Sequence, residues 1–216
     1  MKLLIIRHAE PDYDNDTITE KGRKQAQMLA EYLKNVKIDR IFASSCGRAQ
    51  DTAKPTCAIK GMDFTILKWL EESHDFMRPF NETDNFSYNV TFRGGAEAVT
   101  GFSSEEPYCP VSRIIEGSDA FLASLGYVRE GLAYRIEKPN DETVAVFCHH
   151  GSGSAWISHL LLRPVELGYQ DLGMTFTSIT TFTFSNDPDP EQRAGKVFPY
   201  LRGLSETPHL PINTEN

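Results

Sequence analysis

Residues 2–10 read Lys-Leu-Leu-Ile-Ile-Arg-His-Ala-Glu, and this stretch decides the fold. Leu3 to Ile6 are apolar without alternation, the mark of a strand buried on both faces, and the run stops abruptly at Arg7-His8. Downstream, Thr19 can cap a helix in which Ala26, Leu29, Ala30 and Leu33 form one apolar stripe, which completes a first strand–helix unit. Ile38 to Ala43 predict a second strand, followed by a helix that Ser44-Ser45 would cap and Pro55 would kink or restart. Phe64 to Leu70 predict a third strand and Thr143 to Cys148 a fourth. Trp156 to Leu162 then form the heart of a helix beginning near Ser152. Alternating strands and helices imply an α/β fold, a three-layer sandwich with a mainly parallel central sheet flanked by helices.

The segment 73–140 breaks that rhythm with Gly, Pro, Asn and Ser, and within it only Ser112 to Leu125 carries a helical pattern. It is expected to be an inserted cap on a single domain spanning 1–216. Thr177 to Phe184 alternate as strands do, Asn186 to Pro190 form a turn, and Val197 to Leu201 would be a last strand.

Composition narrows the function classes. A net charge of −8 opposes nucleic-acid binding, which leaves a basic stripe on a protein. The apolar run Leu3–Ile6 is too short for a signal-peptide core or a membrane span, so a cytoplasmic protein is expected, with no membrane partner. Cys46, Cys57, Cys109 and Cys148 lie too far apart for a zinc site or a disulfide scaffold and are expected to be reduced and mostly buried. None is followed six residues later by arginine, which closes the thiolate route to phosphate chemistry.

In open parallel sheets ligands sit beyond the carboxyl ends of the strands. Arg7-His8, Ser44 to Arg48 and His149-His150-Gly151 all follow predicted strands. Together they would gather positive charge at one sheet edge, which is costly to bury without an anion. Arg48, in the first turn of a helix, adds a guanidinium fork to free N–H groups that already favour phosphate.

These residues resemble the histidine phosphatase superfamily, which includes the cofactor-dependent phosphoglycerate mutases. Leu3 to Glu10 match its opening, with Ala9 in place of glycine. Ser44 to Ala53 match its S-x-x-x-R-A-x-x-T-A element, Ile18 to Ala26 its first helix, His150-Gly151 its second histidine motif, and Ser205 to Leu210 its C-terminal end. The resemblance implies that His8 is the nucleophile and becomes phosphorylated, with Arg7, Arg48 and His150 around the phosphoryl oxygens. One carboxylic acid would protonate the leaving group. The family's L-x-E setting selects Glu72, with Glu71 as fallback. The scheme calls for neither a metal nor another cofactor, and a zinc site at His149-His150 lacks a third ligand.

His149 is expected behind the strand end, His159 in the core or at its rim, and His209 in a structural role, while His74 either lines the pocket or, as the preferred reading, is an exposed loop residue. Arg78, Arg93 and Arg113 are candidates to grip a second anionic group of the substrate. The implied partner is a small phosphorylated metabolite, and a homodimeric assembly is left open. Arg-His-Ala-Glu-Pro-Asp-Tyr-Asp departs from the mutases' opening after the glutamate, which favours hydrolysis over mutase chemistry or turnover-free phospho-ligand binding.

Overall fold

A computed structural model describes residues 1–73, 109–163, 165, 168–186 and 195–211. The elements in chain order are β1 (Lys2–Arg7), β2 (Pro11–Asp12), β3 (Thr17–Ile18), α1 (Glu20–Leu33), β4 (Arg40–Ser44), α2 (Gly47–Lys60) and β5 (Phe64–Leu67). There follow α3 (Cys109–Ser124), β6 (Tyr127–Glu130), β7 (Ala133–Ile136), β8 (Thr143–Cys148), α4 (His150–Leu160), α5 (Gly168–Asp171), β9 (Ile179–Thr183), β10 (Lys196–Val197) and β11 (Tyr200–Glu206).

The central sheet has the order β11-β9-β1-β8-β4-β5. β1, β8, β4 and β5 run parallel, whereas β9 and β11 are antiparallel additions. Strand alternation then sorts the core into two layers. Leu3, Ile5, Val144 and Val146 face Trp156, Ile114 and Phe121, from α4 and α3. Leu4, Ile6, Ala145 and Phe147 face Leu29 and Leu33 of α1 with Ala53 and Cys57 of α2. Because β1 and β8 are buried on both sides, both read as unbroken apolar runs.

Several expectations shift by a few residues, each for a local reason. Thr19 does cap α1, accepting from the Gly22 N–H at 3.0 Å. Neither Ser44 nor Ser45 caps α2: Cys46 occupies that position without a side-chain bond. Pro55 lies inside α2, which runs on to Lys60 without restarting; Ala53, Thr56 and Cys57 on either side of it are buried. β5 ends at Leu67, and Lys68–Leu70 coil into a 3₁₀ turn. α4 starts at His150 rather than near Ser152.

The strand after Thr177 is confined to Ile179–Thr183, and the last strand is Tyr200–Glu206, not Val197–Leu201. Val197 instead joins β10 of a small sheet ordered β10-β7-β6. The β6–β7 hairpin, turning at Gly131 with φ 65°, went unforeseen inside the irregular segment. β11 is an edge strand with register shifts between Leu201 and Gly203 and between Gly203 and Glu206. Cys57 and Cys148 are buried and Cys46 half-buried, all with free thiols. No helix among the described residues is long and apolar enough to cross a membrane.

Gly22 lies in α1 where a Cβ would come 2.4 Å from the Glu10 carbonyl oxygen. Gly22→Ala should therefore lower stability by about 1–3 kcal/mol through overpacking, although alanine is the better helix former. Urea unfolding reads this directly, and an unchanged or higher midpoint would contradict the close approach.

Candidate active site

The carboxyl ends of β1, β8, β4 and β5 lie side by side, so the segments that leave them share one rim of the sheet. His8 follows β1 and is only 2% exposed. Its Nδ1 lies 2.7 Å from the carbonyl of Ala9, which can only accept, so Nδ1 carries the proton and Nε2 keeps its lone pair. Burial, with the charges of Arg7 and Arg48, pushes the His8 pKa down to about 3 against the opposing hydrogen bond and Asp16. The ring is therefore neutral, with the lone pair on Nε2.

Arg7 donates from Nη1 to the Met174 carbonyl and lies 4.1 Å above the Phe176 ring. Burial lowers its pKa, opposed by Tyr13, Glu72 and Tyr169. Arg48 sits in the first turn of α2, as the sequence predicts, and pairs through Nη1 with Asp16 Oδ1 at 2.5 Å. The other Asp16 oxygen accepts from the Gly47 N–H at 2.6 Å. Asp16 went unrecognised from sequence. Its carboxylate occupies the helix N-terminal position expected to be open to phosphate, and only Asp16's left-handed backbone (φ 45°) marks the spot. Gly47 is required there, since a Cβ would come 2.2 Å from the Asp16 carbonyl.

His150 opens α4 and accommodates the Tyr169 ring at 4.6 Å. Burial lowers its pKa, Arg7 lowers it further, and a hydrogen bond to the Leu172 backbone opposes both. Arg7 Nε, Arg48 Nε and His150 Nε2 are all buried without a hydrogen-bond partner. Buried polar nitrogens normally have partners, so three orphans at one sheet edge fit the oxygens of an anion. A bound anion would also favour a second proton on His150.

Glu72 follows the 3₁₀ turn after β5. Its two oxygens accept from the first-turn N–H groups of α4, Gly151 at 2.8 Å and Ser152 at 2.9 Å. Burial raises its pKa more than these bonds and Arg48 lower it. It is thus held beside Arg7 and Arg48 as a carboxyl that keeps its proton to higher pH than usual. Glu71 is exposed, 3.3 Å from the Ser45 hydroxyl.

His149 is completely buried behind the strand end, 2.8 Å from Ser44 Oγ, with its ring 5.1 Å from that of His8. Ser44 is thereby used by a histidine rather than by the helix it was expected to cap. Arg113 lies in α3 and donates to the Glu71 carbonyl at 2.7 Å, next to the candidate acid. His159 is satisfied by Asp119 at 2.9 Å, near Arg129. His209 bonds Thr177. His74, Arg78 and Arg93 lie outside the described residues. Among the described residues no cluster of His, Cys, Asp or Glu could hold a metal ion.

Sheet order and rim chemistry define a class: doubly wound α/β proteins with a histidine at the end of the first strand and cationic side chains around it. A family profile described as the histidine phosphatase superfamily (branch 1) matches residues 3–78. The 2,3-bisphosphoglycerate-dependent phosphoglycerate mutase of Thermoplasma acidophilum is 26% identical over 166 residues, covering 69% of this chain and 83% of the relative. The adenosylcobalamin/alpha-ribazole phosphatase of Escherichia coli is 24% identical over 77% of this chain and 82% of its own length. A phosphoserine phosphatase from Entamoeba histolytica, solved with 3-phosphoglyceric acid, shares the fold, with TM-score 0.63 at 20% identity over 97% of this chain and 99% of that one. Over residues 3–78 this chain is similar to the histidine phosphatase superfamily, and over nearly all of its length it shares the fold of that phosphatase.

The buried neutral state of His8 has a thermodynamic signature. Its folded pKa of about 3 lies below the ordinary value of about 6.5, so the unfolded chain binds more protons between these limits. The neutral ring's contribution is therefore fully present above about pH 6.5 and is lost as pH falls toward 3. His8→Gln should remove roughly 2–3 kcal/mol of the stability lost between pH 7 and pH 4.5. Urea unfolding at both pH values measures it, and equal losses in the two proteins would show that the ring is not buried neutral.

Proposed function

We propose that this chain is a phosphomonoester hydrolase working through a phosphohistidine on His8, with a small phosphorylated metabolite as substrate. The observation that carries this reading is the free Nε2 of a neutral, buried His8 beside the unpartnered nitrogens of Arg7, Arg48 and His150. Nε2 attacks phosphorus, the phosphorus–oxygen bond to the substrate breaks, and the departing oxygen takes the Glu72 proton. Glu72, now a base, takes a proton from water as that water attacks the phosphohistidine. The phosphorus–nitrogen bond breaks, inorganic phosphate leaves, and His8 and Glu72 return to their starting states. Arg7, Arg48 and His150 stabilise the charge on the equatorial oxygens in both displacements.

Phosphatases among the similar proteins support hydrolysis. The mutase relative keeps transfer to a second substrate hydroxyl as the competing outcome. The departure of the sequence after Glu10 from the mutase opening weighs for water as acceptor. Substrate choice would rest with the insertion 73–140, including Arg113, in a cytoplasmic protein consistent with the free thiols of Cys46, Cys57 and Cys148.

Wild-type protein should release phosphate from p-nitrophenyl phosphate and yield an acid-labile phosphoprotein on rapid quench, and His8→Ala should abolish both. Absence of turnover and of phosphohistidine in the wild type would end the hydrolase reading; transfer to a second hydroxyl in place of phosphate release would establish the mutase. With an alkyl phosphate, kcat/KM should fall as pH rises through the elevated pKa of Glu72, because the acid form disappears. Glu72→Gln should lower the rate by about 10²–10⁴-fold and erase that alkaline limb. A limb that survives the substitution would move the acid role to another group.

A further inference from the structure

The C-terminal motif Ser205 to Leu210 has no part in the phosphoryl chemistry, yet it is bonded to the segment that cradles Arg7 and His8. That cradle is residues 174–178. The Met174 carbonyl accepts from Arg7 Nη1, and the Phe176 ring lies 4.1 Å from the Arg7 guanidinium and 5.8 Å from the His8 ring. Thr177 N–H donates to the carbonyls of Arg7 at 3.1 Å and His8 at 3.3 Å, and the Ser178 carbonyl accepts from Arg7 N–H at 3.2 Å.

Thr177 does this from a left-handed backbone, φ 60°, while completely buried. For a β-branched residue this conformation is a genuine outlier that persists only when its surroundings enforce it. The enforcing contacts come from the C-terminal segment. The Thr177 hydroxyl donates to the Phe176 carbonyl at 2.6 Å, so it accepts the proton of His209 Nε2 at 2.9 Å. One turn earlier, Ser205 Oγ accepts from Thr175 N–H at 2.9 Å, while Ser205 N–H donates to Thr180 Oγ1 at 3.0 Å. His209 is half-buried beside the Tyr32 ring, and burial holds its pKa at about 4, so the ring is neutral and Nε2–H is the donor.

We propose that His209 is a positioning residue: it pins the strained Thr177 so that the Thr177 N–H holds the Arg7-His8 dipeptide in its reactive orientation. The inference rests on the phosphohistidine reading of His8 but can fail independently of it. In folded protein, His209→Ala and Thr177→Val should each lower kcat on p-nitrophenyl phosphate by about 10–100-fold, the scale expected when a nucleophile is displaced by a fraction of an ångström. His209→Gln, which keeps an N–H donor, should recover activity to within about threefold of wild type.

Glycine adopts φ near +60° unaided, so in a Thr177→Gly background the further change His209→Ala should cost less than about twofold. A folded His209→Ala protein with wild-type kcat, or the same loss in both backgrounds, would overturn the proposal. If the wild type turns over no phosphomonoester, the hydrolase reading fails. The His8 ring ¹H–¹⁵N signals then decide the positioning role, moving with His209→Ala if it holds and staying fixed if it does not.

Discussion

The hydrogen bond between His8 Nδ1 and the Ala9 carbonyl governs the site, because it determines which ring nitrogen faces outward. That bond is only as firm as the backbone carrying it. Ala9 N–H donates to Thr52 Oγ1 at 2.9 Å, and the same hydroxyl donates to the Arg48 carbonyl at 2.8 Å. One buried threonine of α2 thus ties the main chain next to His8 to the main chain of Arg48. Because β1 pairs with β8 in register, Arg7 opposite Cys148, the second histidine motif is fixed relative to the first by the sheet itself.

Electrostatics then assign the remaining roles. His8, His149 and His150 crowd one rim with Arg7 and Arg48, and burial with these cations keeps all three rings toward neutrality. The same desolvation that makes the site costly to build keeps the His8 ring unprotonated, the state that the proposed attack on phosphorus needs. Glu72 obeys the opposite logic. Desolvation favours its protonated form, as a leaving-group acid requires, although two α4 amides pull against it. Asp16 supplies the negative charge that partly offsets Arg48.

Much of this was readable in the chain itself. Doubly buried strands announce themselves as apolar runs, and a strand end followed by charge marks the rim, so Arg7, His8, Arg48 and the His149-His150 pair could be placed at the rim from local pattern, whereas the choice of His150 came from the family resemblance. Pro55 could not: whether a proline breaks a helix depends on how firmly its neighbours are packed, which is a tertiary property. The Ser44 capping expectation failed for a related reason, since its hydroxyl answers to His149, 105 residues away. Asp16, and the partner of His209, were invisible for the same cause: these contacts are set by topology, and no local spacing encodes them. The β6–β7 hairpin was masked by the Gly- and Asn-rich chain around it.

The irregular register of β11 bears on a different matter, the behaviour of the molecule in concentrated solution. As an edge strand carrying exposed Tyr200 and Leu204, a flat β11 would offer a ready template for strand addition by another chain. Its two offsets, at Gly203 and before Glu206, break the even comb of backbone donors and acceptors that such a template needs. Removing those irregularities would expose the protein to edge-to-edge aggregation.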